Sequence, residues 1–289
     1  MFTGTFTAIV TPFNRDGSID YGCFHALIER QIAGGVAGIV PVGTTGESPT
    51  LSTKEHVEVI RVAVKSAAGR VKVIAGTGAN STAEAIELTR AVMDFGADGT
   101  LQVTPYYNKP TAEGLYRHFT AIADIGLPVV LYNVPGRSAR EIPVDVVARL
   151  AVHPKVVAIK EAAGDVGRVN QIRLACDLSI LSGDDALNLP MLSVGACGVI
   201  SVASNVVPRE MSDLVTLALS YHYREAQALH EKLLPLLTKL FVEVNPIPVK
   251  AALAMMGLIE EVYRLPLCEM EAANRTKLLA TMKALGLVG

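Results

Sequence analysis

The sequence lacks the features that mark several large classes of protein. Cysteine occurs four times in 289 residues, without C-x-x-C spacing, which excludes a disulfide-dense secreted framework and predicts buried, reduced thiols in the cytosol. The six histidines show no H-E-x-x-H or other ligand spacing, so no bound metal is predicted. Charges, glycines or prolines break every apolar run well short of the roughly 20 residues that a membrane helix requires. The cysteines are Cys23, Cys176, Cys197 and Cys268.

No charge of one sign dominates the chain. Its 26 basic and 28 acidic residues give a formal net charge of −2. Without a basic run, neither nucleic acid nor an anionic membrane is expected as a partner. The first residues, Met1 to Thr5, contain no basic segment of the kind that opens a secretory signal. We therefore expect a cytoplasmic protein.

Short, β-rich apolar runs recur along the chain, and each is followed by a stretch with helical periodicity. Most runs are continuously apolar, which is typical of parallel strands covered on both faces. Eight such units in strict alternation favour an α/β fold of the (β/α)₈, or TIM barrel, type over an open doubly wound sheet. The predicted strands are Thr5–Thr11, Gly38–Gly43, Val71–Thr77, Gly99–Thr104, Pro128–Asn133, Val156–Lys160, Leu178–Ser182 and Gly198–Ser201.

The chain is longer than the roughly 250 residues that such a barrel typically takes. After Pro208 the pattern is helical to the end, and no linker composition interrupts it. We predict a barrel over residues 1–207 and a C-terminal helical extension, packed on it, over residues 208–289. Ser52 and Ser81 stand immediately before helical patterns and are predicted N-caps.

Functional groups of such barrels lie at the carboxyl ends of the strands, and Lys160 ends the sixth predicted strand. Partial exclusion of water there favours a neutral amine, which is a nucleophile toward carbonyl carbons and forms Schiff bases. Tyr132 ends the preceding strand, close enough for its phenol to exchange protons with that amine. The alternatives are a structural lysine paired with Glu161 and an ordinary core tyrosine.

Other strand ends carry groups suited to a small carboxylate substrate. Gly43-Thr44-Thr45-Gly46-Glu47 can present backbone amides to a carboxylate, or form an ordinary turn. Arg137 can bind a carboxylate with two hydrogen bonds, or remain a solvated loop residue. Asp184 and Asp185 follow the seventh strand, where barrels often bind phosphate, and so argue against a phosphorylated substrate.

Together, the motifs at these strand ends resemble the dihydrodipicolinate synthase family, in order, from about Thr3 to Lys250 and onward to the end of the chain. The resemblance implies a lyase that condenses pyruvate with L-aspartate 4-semialdehyde in the diaminopimelate route to lysine. It also implies a homotetramer built as a pair of tight dimers, and no metal or organic cofactor. The motifs are Gly43 to Glu47, Thr104-Pro105-Tyr106-Tyr107, Tyr132 to Arg137, Ile159-Lys160-Glu161, Ser182 to Asp185 and Gly198 to Ser201.

The same resemblance implies a role for each matching residue. Lys160 forms the Schiff base with pyruvate and Tyr132 transfers protons, in a relay completed by Thr44 and by Tyr107 from a neighbouring subunit. The remaining positions bind substrate: Thr45 the pyruvate carboxylate, Arg137 the semialdehyde carboxylate, and Gly183 and Ile200 through backbone groups.

A second site is implied at the tight-dimer interface, where members of the family bind lysine as a feedback inhibitor. Thr53 stands where sensitive members often have histidine, and Pro49 where a small residue is usual. We therefore expect weak or moderate inhibition. The matching positions are Ser48, His56, Asn80, Glu84 and Tyr106.

Two other functions fit parts of this pattern. A sister Schiff-base aldolase, such as an N-acetylneuraminate lyase or a 2-keto-3-deoxy-sugar-acid aldolase, would share Lys160 and Tyr132, whereas Thr45 and Arg137 favour the semialdehyde substrate. A non-catalytic, metabolite-binding barrel would need neither the lysine nor the tyrosine.

Overall fold

Eight parallel strands close into a barrel in the computed structural model, which describes residues 2–289. Each strand pairs with the next along the chain, and the eighth pairs with the first. The predicted fold class is confirmed. The strands are β1 Gly4–Ala8, β2 Gly38–Val40, β3 Lys72–Gly76, β4 Gly99–Val103, β5 Val129–Asn133, β6 Val156–Glu161, β7 Ser179–Ser182 and β8 Gly198–Ser201.

All eight predicted strands are present, but several were predicted too long. The largest differences are at the carboxyl ends of β1, which stops at Ala8 rather than Thr11, and of β2, which stops at Val40 rather than Gly43. Pro41 has no N–H to donate to a neighbouring strand, and Val42 has a left-handed backbone with φ of 55°. The chain therefore leaves the sheet early and forms the loop that carries Thr44 and Thr45.

Helices follow the strands and surround the barrel. Ser52 caps the helix that begins at Thr53 and forms a reciprocal capping box with Glu55, as an N-cap should, whereas Ser81 precedes the helix that begins at Thr82 without making a side-chain cap bond. The helices are α1 Tyr21–Ala33, α2 Thr53–Ala67, α3 Thr82–Met93, α4 Ala112–Ala123, α5 Pro135–Ser138, α6 Val144–Ala151, α7 Gly167–Ala175, α8 Asn188–Ser193, α9 Pro208–Leu219, α10 Tyr223–Lys239, α11 Ile247–Met255 and α12 Ala272–Ala284.

The helices after β8 do not form a separate body. Helix α9 packs against β1, α1 and α8, which is the position of an eighth barrel helix. Helix α10 packs on α9, and α12 packs on both α10 and α11. The domain boundary at residue 207 remains a prediction, and the packing of α9 favours placing it about one helix later. None of the helices within residues 2–289 is long and apolar enough to cross a membrane.

The core has two layers because the strands are buried on both faces. One set of side chains fills the barrel, among them Phe6, Leu101 and Leu181. The alternate residues, such as Ile39 and Ile159, pack against the helices. This alternation decides which strand-end side chains point into the barrel and which point toward the helices.

Candidate active site

Lys160 and Tyr132 lie side by side at the carboxyl ends of β6 and β5. The two residues pair directly across the strands, and each is only 6 % exposed. Lys160 Nζ lies 4.3 Å from the centroid of the Tyr132 ring. The predicted proximity is therefore present, although here the amine faces the ring.

The alternative of a structural Lys160–Glu161 pair is contradicted. Successive strand residues point to opposite faces, so Glu161 points toward the helices and binds Asn133 and Arg168 instead. Burial raises the pKa of the Glu161 carboxyl, while the Arg168 guanidinium and the Asn133 amide act against that shift. Lys160 has no carboxylate partner among residues 2–289, which leaves its amine available to a ligand.

A cavity of about 410 Å³ opens beside the lysine at the carboxyl ends of the strands. Leu237 and Phe241, near the end of α10, form part of its wall. Six of the predicted site residues line it: Thr44, Thr45, Tyr132, Arg137, Lys160 and Gly183.

The loop after β2 brings Thr44 and Thr45 to this cavity. Thr45 is buried, and its hydroxyl accepts a hydrogen bond from Asn245 Nδ2 at 3.0 Å. No hydrogen bond joins the Thr44 hydroxyl to the Tyr132 phenol among the bonds of residues 2–289, although both residues line the cavity. The loop returns sharply at Gly46, where a Cβ would lie 2.9 Å from the backbone nitrogen of Val42.

Arg137 lies on the short helix α5, immediately after β5, and lines the cavity. Its Nη2 donates to the backbone oxygen of Asn245 at 3.1 Å. The remaining guanidinium N–H groups are available to a carboxylate. Asn245 thus contacts both Thr45 and Arg137.

Gly183 and Ile200, the two residues predicted to bind substrate through backbone groups, differ in their access to the cavity. Gly183 lies against Lys160, and a Cβ there would approach Lys160 Cε to 2.7 Å, so only glycine leaves room for the lysine side chain. The Gly183 amide already donates to Glu161 O at 2.8 Å, which leaves its carbonyl for a ligand. Ile200 is 1 % exposed on β8 and does not line the cavity.

Tyr107 is not brought to the site within one chain. Its side chain is 91 % exposed, and its backbone is left-handed with φ of 70°. Contact with Lys160 or Tyr132 of the same chain is not present, and any role in the reaction requires a neighbouring molecule.

Only one of the two adjacent aspartates faces the cavity. Asp184 lines it, whereas Asp185 is buried and accepts hydrogen bonds from the amides of Val202 and Ala203 at 2.9 and 2.7 Å. Of the two carboxylates that the sequence placed at the site, only that of Asp184 is therefore there. Asp185 instead stabilises the turn after β8.

A second, smaller cavity of about 190 Å³ lies near the loop after β2, next to α2 and α3. Ser48, His56, Glu84 and Tyr106 line it, together with the atypical Pro49 and Thr53. Asn80 is adjacent, since its Nδ2 donates to the backbone oxygen of Tyr106 at 3.2 Å. Burial lowers the pKa of His56, whose Nε2 lies 2.6 Å from Gly76 O, and raises the pKa of Tyr106.

Several residues that hold the loop after β2 were not identified from the sequence. Lys250 Nζ lies 2.5 Å from Glu47 Oε1, and neither side chain is exposed to solvent. Arg264 donates its backbone amide to the other Glu47 oxygen at 3.4 Å. Asn245 was not singled out at all. No spacing in the sequence relates these positions, which are about 200 residues apart.

No cysteine among residues 2–289 lines either of these two cavities. No group of three or more His, Cys, Asp or Glu side chains within residues 2–289 is placed to hold a metal ion. All four cysteines are free, but the expectation that they are buried is wrong: three are half-buried and Cys268 is exposed.

In this cavity an amine lies over a phenol ring, beside two threonines and an arginine. This arrangement is typical of barrel enzymes that condense a carbonyl substrate through a lysine Schiff base. Comparison with known proteins makes the assignment specific. A model of the dihydrodipicolinate synthetase family matches residues 1–285, and the chain belongs to that family.

Individual relatives agree with the family model. The chain is 52 % identical over 291 residues to the 4-hydroxy-tetrahydrodipicolinate synthase of Thermodesulfovibrio yellowstonii, covering 100 % of both chains. A solved structure of the chloride-inhibited dihydrodipicolinate synthase of Acinetobacter baumannii, complexed with pyruvate, is 46 % identical with a TM-score of 0.98 and 100 % coverage of both chains. That from Cyanidioschyzon merolae, with lysine bound, is 42 % identical with a TM-score of 0.96 and 99 % coverage of both chains.

The protein is accordingly a lyase that condenses pyruvate with L-aspartate 4-semialdehyde to give 4-hydroxy-tetrahydrodipicolinate in diaminopimelate and lysine biosynthesis. Pyruvate is bound covalently as substrate, and the reaction uses no cofactor. The sister-aldolase alternative is not favoured, because the relatives are synthases along their full length.

Proposed function

We propose that Lys160 is the residue that forms the Schiff base. Its Nζ attacks the keto carbon of pyruvate, and loss of water leaves an iminium. The observation that carries this assignment is the pairing of Lys160 with Tyr132 across β5 and β6, with the amine 4.3 Å from the ring centroid at the cavity wall. Because the iminium is cationic, loss of a methyl proton gives a neutral enamine without a metal or an organic cofactor.

Tyr132 transfers the protons of these steps. Its phenol protonates the departing hydroxyl of the carbinolamine and exchanges protons with the intermediates that follow. Thr44 lines the same cavity, and Tyr107 of a neighbouring subunit completes the relay. The near-complete exposure of Tyr107 in one chain supports such sharing. The proposed assembly is a homotetramer built from two tight dimers.

Carboxylate recognition falls to two other residues at the cavity. Thr45 binds the pyruvate carboxylate through its hydroxyl and amide, and Arg137 binds the semialdehyde carboxylate with the N–H groups that Asn245 leaves free. Gly183 contributes its carbonyl, and Ile200 a backbone group from β8. The enamine carbon then attacks the aldehyde, and cyclisation displaces Lys160 from the product.

Trapping the imine tests the assignment directly. The protein is incubated with pyruvate and sodium borohydride, and the reduced pyruvyl adduct is located by peptide mass spectrometry. We expect the adduct on Lys160 and none in the K160R variant. An adduct on another lysine, or no adduct, would overturn the proposed nucleophile.

We further propose that lysine inhibits the enzyme by binding at the smaller cavity. Glu84 suits the ammonium group of the inhibitor and Asn80 suits its carboxylate, while Ser48, His56 and Tyr106 complete the site. The lysine-bound relative from Cyanidioschyzon merolae supports this proposal. Pro49 and Thr53 also line the cavity, and we expect inhibition to be weak or moderate because of them.

An assay with millimolar lysine tests this regulation. We expect a partial loss of rate that is absent in the E84Q variant, in which the charge of the side chain is removed while its shape is kept. Full activity of the unaltered enzyme in millimolar lysine would refute the proposal.

The expected location is the cytoplasm. The four free thiols and the balanced charge support that location. We expect no nucleic acid or membrane partner, and the proposed partners are the two substrates, lysine and further copies of the chain.

A further inference from the structure

A set of buried polar side chains lies on the opposite face of the strand ends that carry Lys160 and Tyr132. Tyr132 pairs with Lys160, and the next residues along the two strands, Asn133 and Glu161, pair in the same register. Because strand residues alternate in direction, the first pair points into the barrel and the second toward the helices. The reacting groups and the buried polar groups are thus neighbours in the chain on opposite faces of the same strand ends.

Glu161 is the centre of this set. Asn133 Nδ2 donates to its two carboxylate oxygens at 2.8 and 3.0 Å, and Arg168 Nε donates at 3.0 Å. The Ala163 amide adds a bond of 2.9 Å. Glu161 is 1 % exposed and Arg168 4 %, so these bonds form away from bulk water.

The set also binds the segment before α6. Asn133 Oδ1 accepts from the Ile142 amide at 2.9 Å, and Arg168 Nη2 donates to the Ile142 carbonyl at 3.0 Å. The ends of β5 and β6, the start of α7 and the residues before α6 are therefore tied at one point. Neither strand end can slide or tilt without breaking several of these bonds.

Stability alone is a weak reason for such an arrangement. Removing a carboxylate and a guanidinium from water costs free energy that their mutual attraction often does not fully return, and apolar side chains of similar volume often serve equally well. What a charged, fully bonded cluster supplies is a single geometry, because each bond has a preferred distance and angle.

We propose that Glu161, Asn133 and Arg168 are positioning residues for the condensation, which hold β5 and β6 so that the Lys160 amine and the Tyr132 phenol keep their mutual geometry. The inference rests on the proposed role of Lys160. None of the three residues lines the cavity, so they act through their strand neighbours. Displacement of a reacting group by about 1 Å can lower a rate by about 100-fold.

Two variants loosen the network by different amounts. E161Q keeps the size of the side chain but replaces the carboxylate that accepts from Arg168 with a neutral amide. R168K keeps the positive charge but loses the planar guanidinium that binds Glu161 and Ile142 at the same time. The control is E141Q, because Glu141 also pairs with Arg168 but its side chain is 48 % exposed. A second comparison is E47Q, which alters a fully buried carboxylate on the other side of the cavity.

The readout is the rate of borohydride-trapped imine at Lys160 with saturating pyruvate, measured together with the pyruvate KM and the melting temperature. We expect about a 10- to 100-fold slower trapping rate in E161Q. The loss should be smaller in R168K, the KM should change little in both, and E141Q should match the unaltered enzyme. E47Q should raise KM rather than slow trapping at saturation. If E161Q does not fold, R168K decides the question.

Folded E161Q and R168K that form the imine at the unaltered rate would overturn the inference. An equal slowing in E47Q, at an equal loss of melting temperature, would also overturn it, because general destabilisation would then explain the effect. Absence of an adduct in the unaltered protein is a different result, since it removes the proposed role of Lys160 itself.

Discussion

The two sides of the active-site cavity are built by different means. On the strand side, Tyr132 and Lys160 lie in regular strands, one residue from the buried network of Glu161. On the loop side, Thr44 and Thr45 lie in an irregular segment after β2, within which Val42 and Glu47 both have left-handed backbones. Such conformations cost about 1–3 kcal/mol each and persist only where surrounding contacts hold them.

Those contacts come from the far end of the chain. Asn245 binds the Thr45 hydroxyl, Lys250 pairs with Glu47, and Arg264 donates its backbone amide to Glu47. The two residues to which we assign the reaction are therefore placed by sheet pairing, whereas the loop of Thr45, to which we assign the pyruvate carboxylate, is held by residues of the C-terminal region. Damage to the strand side should therefore lower kcat, and damage to the loop side should raise KM or lower stability.

The largest effect is expected from K160R on the strand side. Arginine is a basic side chain of similar length but cannot form an imine, so kcat should fall on the order of 10⁴-fold or more, as when other covalent nucleophiles are removed. Steady-state kinetics and the melting temperature check this together. A melting temperature near that of the unaltered enzyme, with most of the activity retained, would contradict the division between the two sides.

On the loop side, K250M should destabilise the protein more than it slows the chemistry. It leaves the Glu47 carboxylate buried without its partner, which typically costs about 3–5 kcal/mol, and the pyruvate KM should rise as the loop loosens. Urea unfolding and kinetics measure the two effects.

The double variant E47Q/K250M provides the control for that prediction. It removes both charges, and part of the lost free energy of unfolding should return because no unpaired charge remains. A double variant no more stable than K250M would show that the ion pair is not what holds the loop.

T45A should have a smaller effect, confined to substrate binding. It removes a hydroxyl that accepts from Asn245 and that we assign to the pyruvate carboxylate. Loss of one such bond is worth about 1–1.5 kcal/mol, which corresponds to about a tenfold rise in the pyruvate KM. Kinetics with varied pyruvate measures it, with T45S, which keeps the hydroxyl, as the control. A fall in kcat at unchanged KM would place Thr45 with the reacting groups instead.

Acid should affect the loop side through Glu55, whose partner Arg264 also contacts Glu47. The Arg264 guanidinium lowers the pKa of Glu55 to about 2, from an ordinary value of 4.5. A depressed carboxyl pKa contributes stability that is present above about 4.5 and is lost as the pH falls toward 2. Melting temperatures between pH 6 and 3 should therefore fall less steeply in E55Q than in the unaltered enzyme. Parallel curves for the two proteins would show that the Glu55–Arg264 pair does not cause the loss of stability in acid.

The strand side could be predicted well from the sequence. Continuous apolar runs identified all eight strands, and the rule that functional groups lie at carboxyl strand ends indicated Lys160 and Tyr132 as candidates, whose roles the family resemblance then implied. The strand lengths were less accurate, because Pro41 and the left-handed Val42 end β2 three residues before the apolar pattern does. The direction of Glu161 follows from strand alternation alone, yet its partners Asn133 and Arg168 do not.

By itself the sequence determined the fold class and indicated Lys160 and Tyr132 as candidates for the chemistry at the strand ends. These depend on local patterns, namely strand periodicity and the residue type at each strand end. Only the tertiary structure decided that Asn245, Lys250 and Arg264 hold the loop of Thr45, and that Asp185 turns away from the cavity. The physical reason is that hydrogen bonds and ion pairs form between groups that folding brings within about 3 Å, whatever their separation along the chain.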